Sequence, residues 1–238
     1  MKLFGWVTIL VALIGLPEIA NSQSPGHTFP RIGAYEIAGA SRSSDPAYRD
    51  ALAKHDLVIM GLWRSWAGQD TVTGAPLNIR DVVVDIKRRA ANKGNSSILL
   101  GKYTIYNESY DTRRNAAQRD RFDKLSSETG PGYRANNDWW ARNASGTNTS
   151  SFPGTWHTNV TDFVKRDRDG YTWTEWATLR DYNEFFKPVP EFDIWFIDNW
   201  FFQPRVTADW NGDGKNDGKG ETWVREEFRK GMMRAARH

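Results

Sequence analysis

The 238-residue chain contains no cysteine and only four histidines. The first absence rules out a disulfide framework, so folding has to rest on an apolar core. The second leaves too few ligands for a catalytic zinc centre. Charge of neither sign dominates: 32 Lys and Arg are interspersed with 29 Asp and Glu, for a net charge of +3. That balance is too mild to predict a nucleic-acid partner. No glycine-rich phosphate loop follows the first strand-like run, which argues against a dinucleotide-binding sheet. Beyond the first segment no stretch is apolar enough to cross a bilayer.

What is present begins with an export signal. Lys2 gives a positive start, Leu3 to Leu16 is almost unbroken in its apolarity, and Pro17 with Glu18 ends the run. Ala20 and Ser22 put small residues at −3 and −1 of a cut before Gln23. The expectation is a signal peptide over 1–22, with an uncleaved anchor as the alternative. The remainder, 23–238, is then one secreted domain, extracellular or periplasmic, soluble and monomeric. Aromatic residues are plentiful, with 12 Trp, 12 Phe and 8 Tyr. Many Trp fall outside apolar periodic segments, where flat rings serve either a core or the C–H faces of sugars.

Strand-like and helix-like patterns alternate along the chain. Arg31 to Ile37, Leu57 to Trp63, Ser97 to Tyr106, His157 to Val160 and Phe192 to Asn199 read as strands. Between them, Pro46 to Lys54, a segment carrying Ile79, Val82, Val83 and Ile86, Thr112 to Ser127, and Thr172 to Phe186 read as helices; Thr222 to Arg234 is the last. Residues 128–156, rich in Gly, Asn, Ser and Thr, read as a long loop. The alternation predicts an α/β fold: a (β/α)₈ TIM-like barrel that is incomplete, with about five βα units where closure needs eight, and cut short at its C-terminus. An open α/β sheet is the alternative.

Four segments carry a family resemblance: RIGAYEI with KHDLVIMGLW, SSILLGKYTIYNES, NNDWWARNASG with WHTNVTDF, and EFDIWFIDNWF followed by DWNGDGKNDG. On these the chain resembles the hypothetical glycoside-hydrolase-like barrel proteins, distantly related to the endo-α-1,4-polygalactosaminidases. The resemblance implies a barrel hydrolase acting on a polysaccharide or oligosaccharide, including one bearing amino sugars. Non-catalytic carbohydrate binding and a calcium-stabilised structural barrel are the alternatives.

In a parallel barrel the chemistry sits where strands end. Strand ends here offer Glu36, Trp63, Arg64, Lys102, Tyr103, Tyr106, Asn159, Asp198 and Asn199. Glycoside hydrolysis needs one protonated carboxyl and one carboxylate, and the expected pair is Asp198 with Glu36. A separation of about 5–5.5 Å between them would give retention and about 6.5–9.5 Å inversion. A partner acid beyond His238 is the alternative to Glu36, whose other role is a salt bridge to Arg64 or Lys102. Trp63, Tyr103, Tyr106, Trp139, Trp140 and Trp200 are candidates for stacking on sugars, and Trp139-Trp140 is expected to expose at least one ring.

A separate signal is the oxygen-rich run Asp209, Asn211, Asp213, Gly214 and Asp217, matching positions 1, 3, 5, 6 and 9 of a calcium loop. Lys215 would offer its carbonyl there. The Glu expected at position 12 is replaced by Gly220, with Glu221 one place later. The pattern predicts a structural calcium ion, with a solvated acidic turn or a substrate-side role as the alternatives; no organic cofactor is expected.

Overall fold

The computed structural model describes residues 32–37, 40–113, 116–128 and 139–238. The expected signal peptide lies outside them. In chain order the elements are β1 (Gly33–Glu36), α1 (Pro46–Leu52), β2 (Leu57–Met60), β3 (Ala67–Gln69), β4 (Pro76–Asn78), α2 (Ile79–Asn92), β5 (Leu99–Ile105) and β6 (Glu108–Tyr110). Then follow α3 (Arg119–Ser127), β7 (Thr155–His157), α4 (Trp173–Asp181) continued by a π-helical turn (Tyr182–Phe186), β8 (Ile194–Asp198) and α5 (Thr222–Arg237). The described residues divide into two compact units, one of 32–104 with 181–196, the other of 105–180 with 197–238.

The first unit holds a parallel four-stranded sheet in the order β1-β2-β5-β8. β1 and β2 run in register from Gly33 with Leu57 to Glu36 with Met60, and β2 pairs β5 from Leu57 with Leu99 to Met60 with Lys102. Alternation along a strand sends successive side chains to opposite faces. Val58, Met60 and Leu100 therefore join one buried cluster with Tyr48 and Leu52 of α1 and Val82, Val83, Ile86 and Ala90 of α2. On the other face Tyr35, Tyr103 and Phe196 meet ring to ring, with centroids 5.6–6.2 Å apart.

Local chemistry sets where the helices start. Asp45 accepts from the Ala47 N–H ahead of Pro46 at the first turn of α1. Asn78 and Asp81 form a reciprocal capping box on α2, at 3.1 and 2.8 Å. Gly61, just past β2, has no room for a side chain: a Cβ there would lie 2.0 Å from the Ile37 carbonyl oxygen.

Two expectations change. The helix expected from Thr112 spans only Arg119–Ser127, after a 3₁₀ turn at Ala116–Gln118. The strand expected at His157 to Val160 is displaced to Thr155–His157 and runs antiparallel to β6, pairing Glu108 with His157 and Tyr110 with Thr155. These short segments, Glu108-Ser109-Tyr110 and Thr155-Trp156-His157, are mostly polar and only partly buried, which suits a half-buried ribbon better than a strand covered on both faces. β3 and β4 form a second small antiparallel pair. Among the described residues no helix is long and apolar enough to cross a membrane.

Candidate active site

In the second unit the chain leaves β5 and enters β6 through four successive carbonyls, each held by a donor from elsewhere. Arg121 Nη2 donates to the Ile105 oxygen at 2.6 Å and to that of Glu108 at 3.3 Å. Trp173 Nε1 and Thr158 Oγ1 both donate to the Tyr106 oxygen at 2.6 Å. The Thr158 N–H donates to the Asn107 oxygen at 3.1 Å, and His157 Nδ1 lies equally close to it. Backbone fixed this way holds its side chains in place, as a reacting group requires.

Glu108 is the side chain that gains from this. Burial pushes its carboxyl above the ordinary range; the charge of Asp198 adds to that, while Arg205 and Arg121 oppose it. Its Oε2 is buried with no hydrogen-bond partner. So are Asn107 Oδ1, Ser109 Oγ and Trp200 Nε1. Buried polar atoms are nearly always satisfied, and Glu108 Oε2 is one of several exceptions, with others on Asn148, Trp195, Asp209 and Trp210.

Asp198 ends β8 beside a strained residue. Asn199 has φ 54°, the left-handed region that a non-glycine residue seldom enters, and its N–H donates to Asp198 Oδ1 at 2.8 Å. The Asn199 carbonyl accepts from Asn107 Nδ2 at 3.3 Å, which ties the end of β8 to the start of β6. Two carboxyls of this unit thus differ in their surroundings: Glu108, raised by burial and in part by the charge of Asp198, and Asp198, hydrogen-bonded as an acceptor. Pairs whose surroundings treat them unequally are how acid and base roles are divided.

His157 supports this arrangement as a neutral residue. It is 2% exposed, with Nε2 2.7 Å from Ser151 Oγ. Burial, with Arg205 adding to it, lowers its pKa from 6.5 to about 4, against the opposing hydrogen bond to Asn107. Between those values the unfolded chain binds a proton that the folded one refuses, so stability is full above pH 6.5 and falls as pH drops towards 4. The loss from this group is at most about 3 kcal/mol. Urea midpoints measured from pH 7 to 4.5 should fall, and His157→Gln should flatten that slope. An identical slope in the variant would remove His157 from the explanation.

The other sequence-derived candidates have contacts of their own. Glu36 accepts from the Tyr48 hydroxyl at 2.6 Å and so serves α1; burial, then Glu36 itself, raises the Tyr48 pKa. Arg64 pairs with Glu184 at 3.2 Å. Lys102, 1% exposed, donates to the Tyr103 carbonyl and lies 4.2 Å from the Phe185 ring and 5.1 Å from that of half-buried Trp63. Asn159, 6% exposed, holds its own turn through Thr161 and the Trp210 carbonyl.

The expectation that Trp139-Trp140 exposes a ring is corrected. Both are buried: Trp139 Nε1 donates to the Lys165 carbonyl at 2.9 Å, and Trp140 packs on Phe122 and Trp156. Tyr106 and Tyr103 are also buried, while Asn199 and Trp200 are half-buried. Of the proposed rings, those that keep an accessible part are Trp63 and Trp200.

In the oxygen-rich loop each of the first three oxygen-bearing side chains takes one backbone donor, while Asp209 Oδ1 is buried without a hydrogen-bond partner. Asp209 accepts from Gly214 N, Asn211 from Asp213 N and Asp213 from Lys215 N, each at 2.9 Å. Asp217 accepts from Trp210 N at 2.9 Å, and burial, with the charges of Asp213 and Asp209, raises its pKa. Glu221 turns to Gly218 N and Trp223 Nε1, at 2.6 and 2.7 Å, and so faces away from the role of a closing ligand. Among the described residues no three His, Cys, Asp or Glu side chains converge as a metal centre.

No protein-family model matches the chain, and no curated protein matches it. The assignment of a role therefore rests on the residues themselves. Glu108 was passed over in the sequence because it stands beyond the apolar run that defines β5. The signal for it was the polar tail Asn107-Glu108-Ser109 at a strand end.

Proposed function

We propose that the chain is a secreted glycoside hydrolase, in which Glu108 and Asp198 form the acid pair. The reading extends the resemblance to the glycoside-hydrolase-like barrels and takes the parallel sheet as part of a (β/α)₈ barrel. One observation carries it: a half-buried carboxyl with one buried, orphaned oxygen, raised in pKa by burial and by the charge of a second carboxylate at a strand end.

In this scheme protonated Glu108 gives its proton to the glycosidic oxygen as the C–O bond breaks. Asp198 supplies the negative charge opposite, as nucleophile at the anomeric carbon or as base for the attacking water. Trp200, half-buried and with its indole N–H unsatisfied, would serve as a donor to a sugar hydroxyl in this scheme. The polysaccharide is the partner; no organic cofactor enters the scheme.

The test is release of reducing ends from a panel of neutral, acidic and amino-sugar polysaccharides, with a pH profile on the substrate cleaved. The rate should fall on the alkaline side as Glu108 ionises, at a pH above that of an ordinary carboxyl. Glu108→Gln should lower kcat about 10²- to 10⁴-fold and erase that limb. No hydrolysis across the panel, or an unchanged profile in the variant, would defeat the proposal.

A further inference from the structure

Two arginines of α5, Arg225 and Arg229, line one surface cavity. Arg80, Arg113, Arg166, Arg180 and Arg234 each pair with an Asp or Glu. Arg225 and Arg229 have no such partner among the described residues and are both exposed. They stand one helical turn apart, where like charges weaken a helix. A spacing that works against the helix calls for a reason outside it.

The two guanidinium groups line one cavity of about 330 Å³, together with Phe202, Thr222 and Glu226. Phe202 is 44% exposed and offers an apolar ring face to this cavity. It is also the fourth residue after Asp198, in the segment leaving β8. An aromatic face, a hydroxyl and two rigid donor forks are the groups that hold a sugar bearing an acidic substituent: the ring covers the C–H face, and the forks match a carboxylate or sulfate oxygen pair. With Glu226 counted, the lining keeps one surplus positive charge.

We infer that this cavity is a subsite for an anionic sugar unit, and that the substrate is an acidic polysaccharide. The inference rests on the hydrolase reading and adds the substrate class to it. It departs from the amino sugars implied by the family resemblance, because an ammonium-bearing ring would meet two unpaired arginines here.

The experiment uses the full chain as Asp198→Asn, to prevent turnover, in calorimetric titrations with oligogalacturonate, a sulfated galactan oligosaccharide, a neutral xylo-oligosaccharide and a chitosan oligosaccharide. The acidic ligands should bind at least about tenfold tighter than the neutral and cationic ones at low salt. Arg225→Ala/Arg229→Ala should abolish that preference, while Arg237→Ala, on exposed helix elsewhere, should leave it unchanged. Circular dichroism of each variant guards against a folding defect. The stronger of oligogalacturonate and sulfated galactan distinguishes carboxylate from sulfate recognition.

Equal binding of all four ligands, tighter binding of chitosan, or a preference that survives the double substitution overturns the subsite. Hydrolysis by the unsubstituted chain separates the two readings. Cleavage of a neutral or amino-sugar polymer, unaffected by the arginine substitutions, sinks the subsite and leaves the hydrolase. Arginine-dependent binding of acidic ligands that are never cleaved does the reverse.

Discussion

Asp198→Asn should lower hydrolysis roughly 10³-fold, about 4 kcal/mol of transition-state stabilisation, with the fold intact. The amide keeps an oxygen that can accept from the Asn199 N–H at the position where Asp198 Oδ1 now does, at 2.8 Å. What it loses is the negative charge that the proposed mechanism assigns to Asp198. A second consequence follows from coupling: Asp198 helps to raise Glu108, so Glu108 should become more acidic in the variant. Activity within a fewfold of the unsubstituted protein would show that Asp198 takes no part in the chemistry.

The largest loss of stability is expected at Arg49→Ala. Arg49 is 2% exposed and uses its whole guanidinium: Nε to Asp85 at 2.6 Å, Nη1 to the Ser43 carbonyl at 2.7 Å, and Nη2 to Asp70. Truncation leaves a buried Asp70 and a half-buried Asp85 facing a cavity, a change that costs about 3–5 kcal/mol. That is a large fraction of the roughly 5–15 kcal/mol that holds a domain together. Urea unfolding should register it directly, and Arg49→Lys should recover only part, since a single ammonium cannot reach three acceptors.

The same site has a pH signature. Bonds from the Thr73 and Val72 backbone and from Arg49 hold Asp70 far below the usual carboxylate range. Burial alone would raise Asp85, but Arg89, Arg49 and Arg88 outweigh it. A lowered folded pKa means stability that is present above the ordinary carboxylate value and lost as pH falls through it. Arg49→Ala should therefore be costliest near neutrality, and its penalty should shrink in acid.

Much of the first unit was legible in the sequence. The spacing of Ile79, Val82, Val83 and Ile86 specifies one face of α2, and all four are buried. Leu57 to Met60 and the apolar run into Asp198 became parallel strands for the same reason: local pattern and burial agree. Less was legible where long-range pairing decides. Nothing near Trp139 or Trp140 in the chain marks them as core, because Trp156, Trp173 and Lys165, which enclose them, arrive later. Glu108 became a candidate only once β6 paired with β7 and Asn107 reached Asn199. Glu36 looked equally suitable from its strand position, but Tyr48 takes up its carboxylate. In the loop from Asp209 the oxygen spacing is readable in the sequence, whereas the backbone N–H groups that take one oxygen of Asp209, Asn211 and Asp213 are not.

The most direct measurement is the titration of the Glu108 carboxyl by carbon NMR, in the unsubstituted chain and in Asp198→Asn. The account predicts a midpoint above the ordinary carboxyl range that moves down when Asp198 loses its charge. A midpoint at the value of a free glutamate, or one indifferent to residue 198, would contradict a shared acid pair.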